Sequence, residues 1–317
     1  MGPTLQAPDR SFMDFKVRTE PSAWEAGIAV IGIGHSEPYA HDPCPNDQTH
    51  APTAIRAQSD QFGFGGGLHF DFEFGAALYD LLPAARFDCG NLVRGAEPYA
   101  QYRATARSHL EQLWRGGAAV FLLGGDHGVS IPAIEALHVF GAPVHVIHID
   151  AHLDWREEVG GVRGGYSSPL YVASRCPWVS GMTQIGLRGT GSARPAEVEN
   201  ARRWGSRLVT AEEFRSINLK ELIGNIAEDQ LIYITIDADG LDPSVMPAVM
   251  GPAPGGVLYR DVANLIQALG RRGRVVGLDF VELAPSFDYA NGLSAITAGR
   301  LVLHGMVAAS RALGARA

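Results

Sequence analysis

The sequence predicts an α/β fold with three αβα layers, in which a mostly parallel central sheet lies between two layers of helices. Short apolar, β-branched segments alternate with segments of helical periodicity along nearly the whole chain. Aspartate and histidine directly follow several of the apolar segments. The 317 residues, 46% of them hydrophobic, are enough for one large core. Because no repeat or linker interrupts the pattern, we expect a single domain over residues 26–317.

Residues 1–25 do not share this pattern. They contain Pro3, Pro8 and Pro21 and are predicted to form an irregular N-terminal arm that packs on a neighbouring subunit. From there on, apolar runs predict strands at 27–33, 118–123, 144–149, 183–187, 208–209, 231–236 and 275–280. Helical spacing predicts helices from residue 51 onward and at 99–114, 129–137, 196–204, 259–269 and 295–312. The glycine-rich segment 63–67 has no strand before it and no Lys-Ser/Thr after it, so a flexible loop is predicted rather than a phosphate site.

Two aspartates and one histidine follow the segment 144–149 at alternate positions. Asp150, His152 and Asp154 stand at i, i+2 and i+4, so in an extended chain their side chains point to one side. A cluster of two carboxylates and an imidazole is costly to bury without a positive charge. Asp and His are common ligands of divalent ions, which makes a metal site the leading interpretation of this motif.

Two other strands deliver the same residue types. The strand at 231–236 leads into Asp237 and Asp239, and the strand at 118–123 leads through Gly124 and Gly125 to His127. Those two glycines are expected to supply a backbone geometry that other residues resist. In an open parallel sheet the carboxyl ends of the strands form the ligand-binding edge. Six ligands with four carboxylates are too many for one tetrahedral zinc ion and suit two oxygen-preferring ions that share carboxylates.

These motifs resemble those of a known family. Gly-Gly-Asp-His at 124–127, Asp-Ala-His-Leu-Asp at 150–154 and Thr-Ile-Asp-Ala-Asp-Gly-Leu-Asp-Pro at 235–243 are similar, in order, to the signature blocks of the ureohydrolases. This is the family of arginases and agmatinases, and the chain resembles its agmatinase-like branch. The resemblance implies an arginase-like fold, a trimer or hexamer, and two Mn²⁺ ions, although ligand type alone leaves Ni²⁺ or another divalent ion open. It assigns one ion to His127, Asp150, Asp154 and Asp237, and the other to Asp150, His152, Asp237 and Asp239.

The resemblance also implies a reaction and its catalytic residues. The expected activity is hydrolysis of a small guanidino compound, agmatine or a relative, to urea and an amine. Asp154 and Glu282 are the expected catalytic residues, and Glu282 also binds the substrate because a carboxylate can hold a guanidinium through two hydrogen bonds. His41 is a further candidate for substrate binding. Formimino or amidine hydrolysis on the same fold, and a non-catalytic subunit, are the alternatives.

One position departs from the family pattern. Tyr166 stands where the agmatinases and arginases have a histidine that is thought to pass a proton to the leaving amine. A phenol has an ordinary pKa of about 10 and is a poor proton shuttle at neutral pH. Three interpretations stay open: Tyr166 only shapes the substrate pocket, a histidine such as His41 comes from another loop, or the leaving group needs less help. The Tyr166 loop is expected to alter the choice of substrate within the guanidino class.

Composition excludes several kinds of partner. The net charge of −8 and the lack of a basic run argue against binding to nucleic acid or to an anionic membrane. A signal peptide is not recognisable, and no run of about 18 apolar residues suggests a membrane span, so a cytoplasmic protein is expected. Cys44, Cys89 and Cys176 are too few and too widely spread for a disulfide framework.

Overall fold

The computed structural model describes residues 3–42, 45–63, 68–83, 85–190 and 193–314. The strands are β1 (Thr4–Gln6), β2 (Lys16–Val17), β3 (Gly27–Ile33), β4 (Phe70–Asp71), β5 (Ala76–Ala77), β6 (Arg86–Val93), β7 (Ala118–Gly124), β8 (Val144–Ile149), β9 (Val179–Leu187), β10 (Arg207–Thr210), β11 (Leu231–Asp237) and β12 (Arg274–Val281). The helices are α1 (Ala51–Gly63), α2 (Leu78–Leu81), α3 (Tyr99–Arg115), α4 (Ser130–Ala136), α5 (Pro169–Arg175), α6 (Pro195–Trp204), α7 (Ala211–Ser216), α8 (Leu219–Leu222), α9 (Tyr259–Arg272) and α10 (Leu293–Gly314).

Ten of these strands form one sheet. Its order is β1-β6-β3-β7-β12-β11-β8-β9-β10, with β2 also beside β6, and β4 pairs with β5 separately. Within the large sheet β1 runs antiparallel to β6, and the pairs along the rest of the order are parallel. The mostly parallel sheet is therefore confirmed. The strands β7, β12, β11 and β8 lie side by side, which brings their carboxyl ends to one stretch of the sheet edge.

The two faces of the sheet are covered by different helices. Along β11 the side chain of Ile234 belongs to one apolar cluster and that of Tyr233 to the other, as the alternation of side chains along a strand requires. The first cluster includes Ile55 of α1, and α9 and α10 add to it; the second includes Leu110 of α3 and Ile134 of α4. Helices on both faces complete the predicted three layers.

Local sequence patterns located most element boundaries. The strands 27–33 and 144–149 match the prediction, and the capping box of Thr210 and Glu213 begins α7. The strand predicted at 183–187 begins earlier, at Val179, because it pairs along the whole of β8. Of the glycine-rich segment 63–67, Gly63 ends α1 and residues 64–67 lie outside the described residues, as does Cys44.

The prediction of an irregular arm at residues 1–25 is wrong for the part that the structure describes. β1 and β2 both pair with β6, and Phe12 and Met13 are fully buried in the core. The backbone N–H of Met13 donates to the Ser59 hydroxyl at 2.8 Å, which fixes the segment against α1. Burial of two large apolar side chains outweighs the weak local preference of this proline-bearing stretch. The division of the chain at residue 26 stays a prediction.

The last helix runs through the core. Residues 293–313 of α10 are long and apolar enough to cross a membrane by length and composition, but 78% of their most apolar stretch is buried inside the molecule. That burial is typical of a core helix, packed here between α1 and α9.

Candidate active site

The predicted metal ligands converge at the carboxyl edge of the central strands. His127 follows β7, Asp237 ends β11, and Asp150 follows β8; all three are buried. His127 directs Nδ1 at three carboxylates, with distances of 3.3 Å to Asp150, 3.0 Å to Asp154 and 3.2 Å to Asp237. This is the residue set that the resemblance assigned to one ion.

A second group shares Asp150 with the first. His152 Nδ1 lies 3.4 Å from Oδ1 of Asp150 and 3.2 Å from Oδ2 of Asp239. Backbone N–H groups orient these carboxylates, since Asp150 Oδ1 accepts from His152 at 2.6 Å and Asp239 Oδ1 accepts from Ala151 at 3.2 Å. The shared position of Asp150 is what a bridging ligand requires. The role of Asp237 in the second group stays a prediction.

The protonation of His127 fits a metal ligand. Its Nε2 lies 2.9 Å from the Thr235 hydroxyl, which donates its own proton to Asp279 at 2.5 Å. The Thr235 oxygen must then accept from His127, which puts the ring proton on Nε2 and leaves the Nδ1 lone pair directed at the carboxylates. Within the described part of the chain, Nδ1 has no partner in hydrogen-bond geometry. A buried, unpartnered nitrogen among carboxylates is suited to hold a divalent cation.

Sequence reasoning missed His148, which supports Asp150. Its Nε2 lies 2.8 Å from Asp150 Oδ2, and its Nδ1 accepts from the Gln184 amide at 3.1 Å. His148 is close enough to the first group to be a ligand itself. Both of its ring nitrogens are already engaged, however, so it orients Asp150 rather than binding an ion. Its position two residues before Asp150, in the strand that leads to Asp150, was the available signal.

The carboxylates of the cluster need a positive charge among them. Burial, together with the charges of Asp239 and Asp150, raises the pKa of Asp237 well above its ordinary value. Burial and the Asp150 charge likewise raise the pKa of Asp239. Although burial opposes it, the neighbouring carboxylates of Asp150, Asp154 and Asp237 hold the pKa of His127 well above its usual range. Protons thus compete for the place that a divalent cation would take.

Glu282 is directed into the same site by an unusual backbone conformation. It follows β12 with a φ of 64°, and Asp154 has a φ of 49°; both are left-handed values that non-glycine residues seldom adopt. The Glu282 carboxylate accepts from the His127 backbone N–H at 2.8 Å and from the Gln48 amide at 2.9 Å. Burial and the Asp126 charge raise its pKa to about 8. Each oxygen keeps a lone pair with which to bind a cationic substrate.

The two glycines before His127 serve close packing rather than an unusual φ. Neither has a left-handed φ. A Cβ atom at Gly125 would lie 2.2 Å from the Gly34 carbonyl oxygen, and one at Gly124 would lie 2.6 Å from Val281. The expectation of special backbone geometry at these two glycines is therefore wrong; the space is needed because β3, β7 and β12 approach closely here.

A cavity of about 280 Å³ opens over the cluster and Glu282. His152, Asp154, Asp237 and Asp239 line its floor, and the rest of its wall consists of Asp42, Asn46, Gln48, Tyr166, Ser167, Met250 and Gly251. Tyr166 thus lies in the pocket, as predicted for a residue that shapes it. His41 does not line this cavity: its side chain is 73% exposed and its ring stacks on Tyr39.

Tyr39 holds the loop that carries Tyr166. Its hydroxyl accepts from the Ser167 backbone N–H at 3.0 Å, and its ring centroid lies 4.6 Å from that of Tyr166. A Cβ atom at Gly165 would lie 2.5 Å from the Tyr39 ring, so this contact requires glycine. Burial and the charge of Asp42 raise the pKa of Tyr166, which keeps its hydroxyl protonated.

Arg188 stabilises the part of the pocket wall near Asp239 and Met250, a role that sequence reasoning did not predict. Its guanidinium donates to the backbone carbonyls of Asp239 at 2.5 Å, Gly240 at 3.2 Å and Ala253 at 2.7 Å. It therefore joins the turn that presents Asp239 to the loop that contains Met250. Burial lowers the pKa of Arg188.

Comparison with known proteins shows relatives in sequence and in fold. The sequence pattern of the arginase family matches residues 26–308. The chain is 30% identical over 295 residues to proclavaminate amidinohydrolase of Streptomyces clavuligerus, which covers 91% of this chain and 89% of that protein. It is 34% identical over 212 residues to N(1)-aminopropylagmatine ureohydrolase of Thermus thermophilus, covering 66% and 67%. The solved structure of the Streptomyces clavuligerus protein superimposes with a TM-score of 0.81 at 28% identity, over 97% and 98% of the two chains.

Proposed function

Because the chain belongs to the arginase family, whose members hydrolyse C–N bonds of guanidino and amidino compounds, we propose that it hydrolyses a guanidino compound to urea and an amine. Agmatine or a related compound is the proposed substrate. The observation that carries this proposal is the position of Glu282 in one pocket with two ligand groups that share Asp150. Glu282 is the only carboxylate in that pocket that is both outside the predicted ligand set and hydrogen-bonded to a ligand's backbone, among the residues described.

The proposed cofactor is a pair of Mn²⁺ ions, with Ni²⁺ or another divalent ion as the alternative. His127, Asp150, Asp154 and Asp237 would hold one ion, and Asp150, His152, Asp237 and Asp239 the other. When bound, such a pair lowers the pKa of water from about 16 towards neutrality and so supplies a nucleophile. The fit of the residues to this cofactor rests on the unpartnered Nδ1 of His127.

The remaining steps belong to residues of this chain. Glu282 binds the guanidinium through its two oxygens, whose positions Gln48 and the His127 backbone hold, and so presents the substrate's central carbon to the ligand cluster. A bound guanidinium favours the ionised form of Glu282 over the protonated form that burial favours. Asp154, buried in the cavity floor beside His127, is proposed as the second catalytic residue. Tyr166 contributes a protonated hydroxyl, a hydrogen-bond donor, rather than a proton shuttle.

Urea release tests the proposal. The purified protein would be loaded with Mn²⁺ or, separately, with Ni²⁺, and offered guanidine, guanidino acids, agmatine and L-arginine. We expect urea from at least one compound, and no urea from Asp150→Asn, which removes the shared charge. Formamide from a formimino compound would favour the amidine alternative instead. No product of either kind, with two ions bound per chain, would favour a non-catalytic subunit. A trimeric or hexameric assembly and a cytoplasmic location stay predictions from the sequence.

A further inference from the structure

Aspartate and glutamate predominate among the charged residues that line the substrate pocket. Asp42, Glu282 and three of the predicted ligand carboxylates line it, whereas no lysine or arginine does so among the residues that the structure describes. Pro43 and Cys44, which follow Asp42 in the sequence, bring no positive charge to this loop. A substrate with a carboxylate at its far end would therefore lie in the pocket without a cationic partner.

Asp42 has no role in the proposed reaction. On the proposed function, the four ligand carboxylates balance the charge of two divalent ions, and Glu282 balances the guanidinium of the substrate. Asp42 is the remaining charged side chain of the pocket wall. Its side chain is partly buried, with 19% of its surface exposed.

The contacts of Asp42 leave its charge available to a ligand. Its Oδ2 accepts from the Tyr39 backbone N–H at 3.1 Å, which orients the carboxylate. Its Oδ1 lies 3.6 Å from Nε2 of His41, beyond hydrogen-bond distance, and the His41 side chain is turned to solvent. Asp42 and Tyr166 both line the cavity, so the carboxylate and the phenol border a common space. The loop thus presents an oriented carboxylate on the wall of the cavity, outside the predicted ligand set.

We propose that Asp42 determines specificity by pairing with a cationic group at the end of the substrate remote from the guanidinium. The proposal rests on the proposed function and narrows it. The substrate class is then the ω-aminoalkylguanidines, which carry a second positive charge. Guanidino acids are disfavoured, because their carboxylate would be repelled by Asp42 and has no lysine or arginine partner on the described wall.

Three compounds of equal chain length separate this inference from the alternatives: an ω-aminoalkylguanidine, the matching ω-hydroxyalkylguanidine and the matching guanidino acid. For the Mn²⁺-loaded protein we expect kcat/KM to favour the amine over the alcohol by roughly tenfold or more, the equivalent of about 1.4 kcal/mol, and the alcohol over the acid. In Asp42→Asn, which keeps the shape and the acceptor for Tyr39, the preference for the amine over the alcohol should disappear through a rise in KM for the amine.

Asp47→Asn is the matched control. Asp47 lies in the same loop and accepts from the Ser286 backbone N–H at 2.9 Å, outside the wall of the cavity. This variant should keep the preference for the amine. A wild-type preference for the acid, or an unchanged preference in Asp42→Asn, would overturn the inference while leaving the proposed function intact. Urea from another guanidino compound, but from none of these three, would overturn the inference and leave the proposed function intact. Urea from no guanidino compound at all, with both ions bound, would overturn the proposed function and this inference with it.

Discussion

Thr235 and His127 are joined by a hydrogen bond of 2.9 Å between the Thr235 hydroxyl and Nε2 of the histidine ring, although 108 positions separate them in the chain. Thr235 in turn donates to Asp279, and Asp279 also accepts from the Tyr233 hydroxyl at 2.6 Å. A buried chain of three hydrogen bonds thus fixes the tautomer and the orientation of the histidine.

Replacement of Thr235 by valine should weaken metal binding. The variant keeps the shape of the side chain but removes the acceptor for His127, and loss of such a supporting hydrogen bond lowers metal affinity by about 10- to 100-fold. Titration calorimetry with Mn²⁺ would measure the change. Thr183→Val is the matched control, because Thr183 makes the same 2.9 Å bond to Nε2 of the buried His145, which is not a predicted ligand. Equal loss of Mn²⁺ affinity in both variants would contradict the assigned role.

Replacement of Glu282 by glutamine should reduce turnover of guanidino substrates. The amide cannot pair with a cation, and loss of one partner of a buried charge pair costs about 2–5 kcal/mol, or roughly 30-fold and upward in kcat/KM. Urea release over a range of substrate concentrations would measure it. Glu97→Gln is the control, since Glu97 is buried and accepts from a backbone N–H but does not line the cavity. Unchanged kinetics in Glu282→Gln would exclude the orienting role.

Replacement of Tyr166 by histidine should change the pH dependence of the reaction. Burial and the Asp42 charge keep the phenol protonated, so Tyr166 should not titrate in the working range of the wild-type protein. A histidine there has an ordinary pKa of about 6.5 and should add an ionisation to the profile of kcat/KM against pH. Tyr166→Phe, which keeps the ring against Tyr39, should add none. Identical profiles for all three proteins would show that the side chain at this position does not take part.

Replacement of Arg188 by lysine should disturb both the Asp239 turn and the pocket wall. Lysine cannot reach the carbonyls of Asp239, Gly240 and Ala253 together, because it lacks the rigid fork of arginine. Each buried carbonyl left without a donor costs about 1–3 kcal/mol. We expect a lower free energy of unfolding in urea together with a raised KM. Arg207→Lys is the control: Arg207 also donates to backbone carbonyls, those of Glu221 and Leu222, but far from the cavity. A KM rise of the same size in Arg207→Lys would deny Arg188 a specific effect on the site.

The ion cluster around Glu73 should make stability depend on pH in acid. Although burial opposes it, hydrogen bonds from Arg300, Tyr259 and His304 lower the pKa of Glu73 to about 2. Because the folded state holds the ionised form, the stabilisation is complete above the unfolded pKa of about 4.5 and is lost as the pH falls towards 2. Glu73→Gln should therefore flatten the decline of the unfolding free energy between pH 5 and pH 3.

Urea denaturation at those two pH values measures the effect. The control is Glu228→Gln, since Glu228 pairs with Arg272 but is 84% exposed, and such a pair contributes little. A decline of equal steepness in wild-type protein and Glu73→Gln would show that the acid sensitivity arises elsewhere.

Much of the fold and of the ligand set follows from local sequence. A run such as 144–149 is apolar enough to predict a buried strand, and alternate positions after it must point to one side. Asp150, His152 and Asp154 could therefore be grouped before any tertiary structure was known. Glu282 was predicted from its place after a strand and from the resemblance to the ureohydrolases.

Tertiary structure decided what depends on the order of the strands. The order β3-β7-β12-β11-β8 brings the segment after β3 to the end of β12, so that Gln48 meets Glu282 across 234 positions. It also brings Thr235 to His127. Crossover connections leave no periodic trace of such contacts in the sequence. The same holds for residues 3–25, whose pairing with β6 and burial of Phe12 depend on a surface that exists only after folding. The sequence by itself determined the chemistry of the site, because residue types and their short spacings specify it. The tertiary structure decided which hydrogen bonds support the ligands and that Asp42 lies on the wall of the pocket. Both depend on contacts between segments that are distant in the sequence.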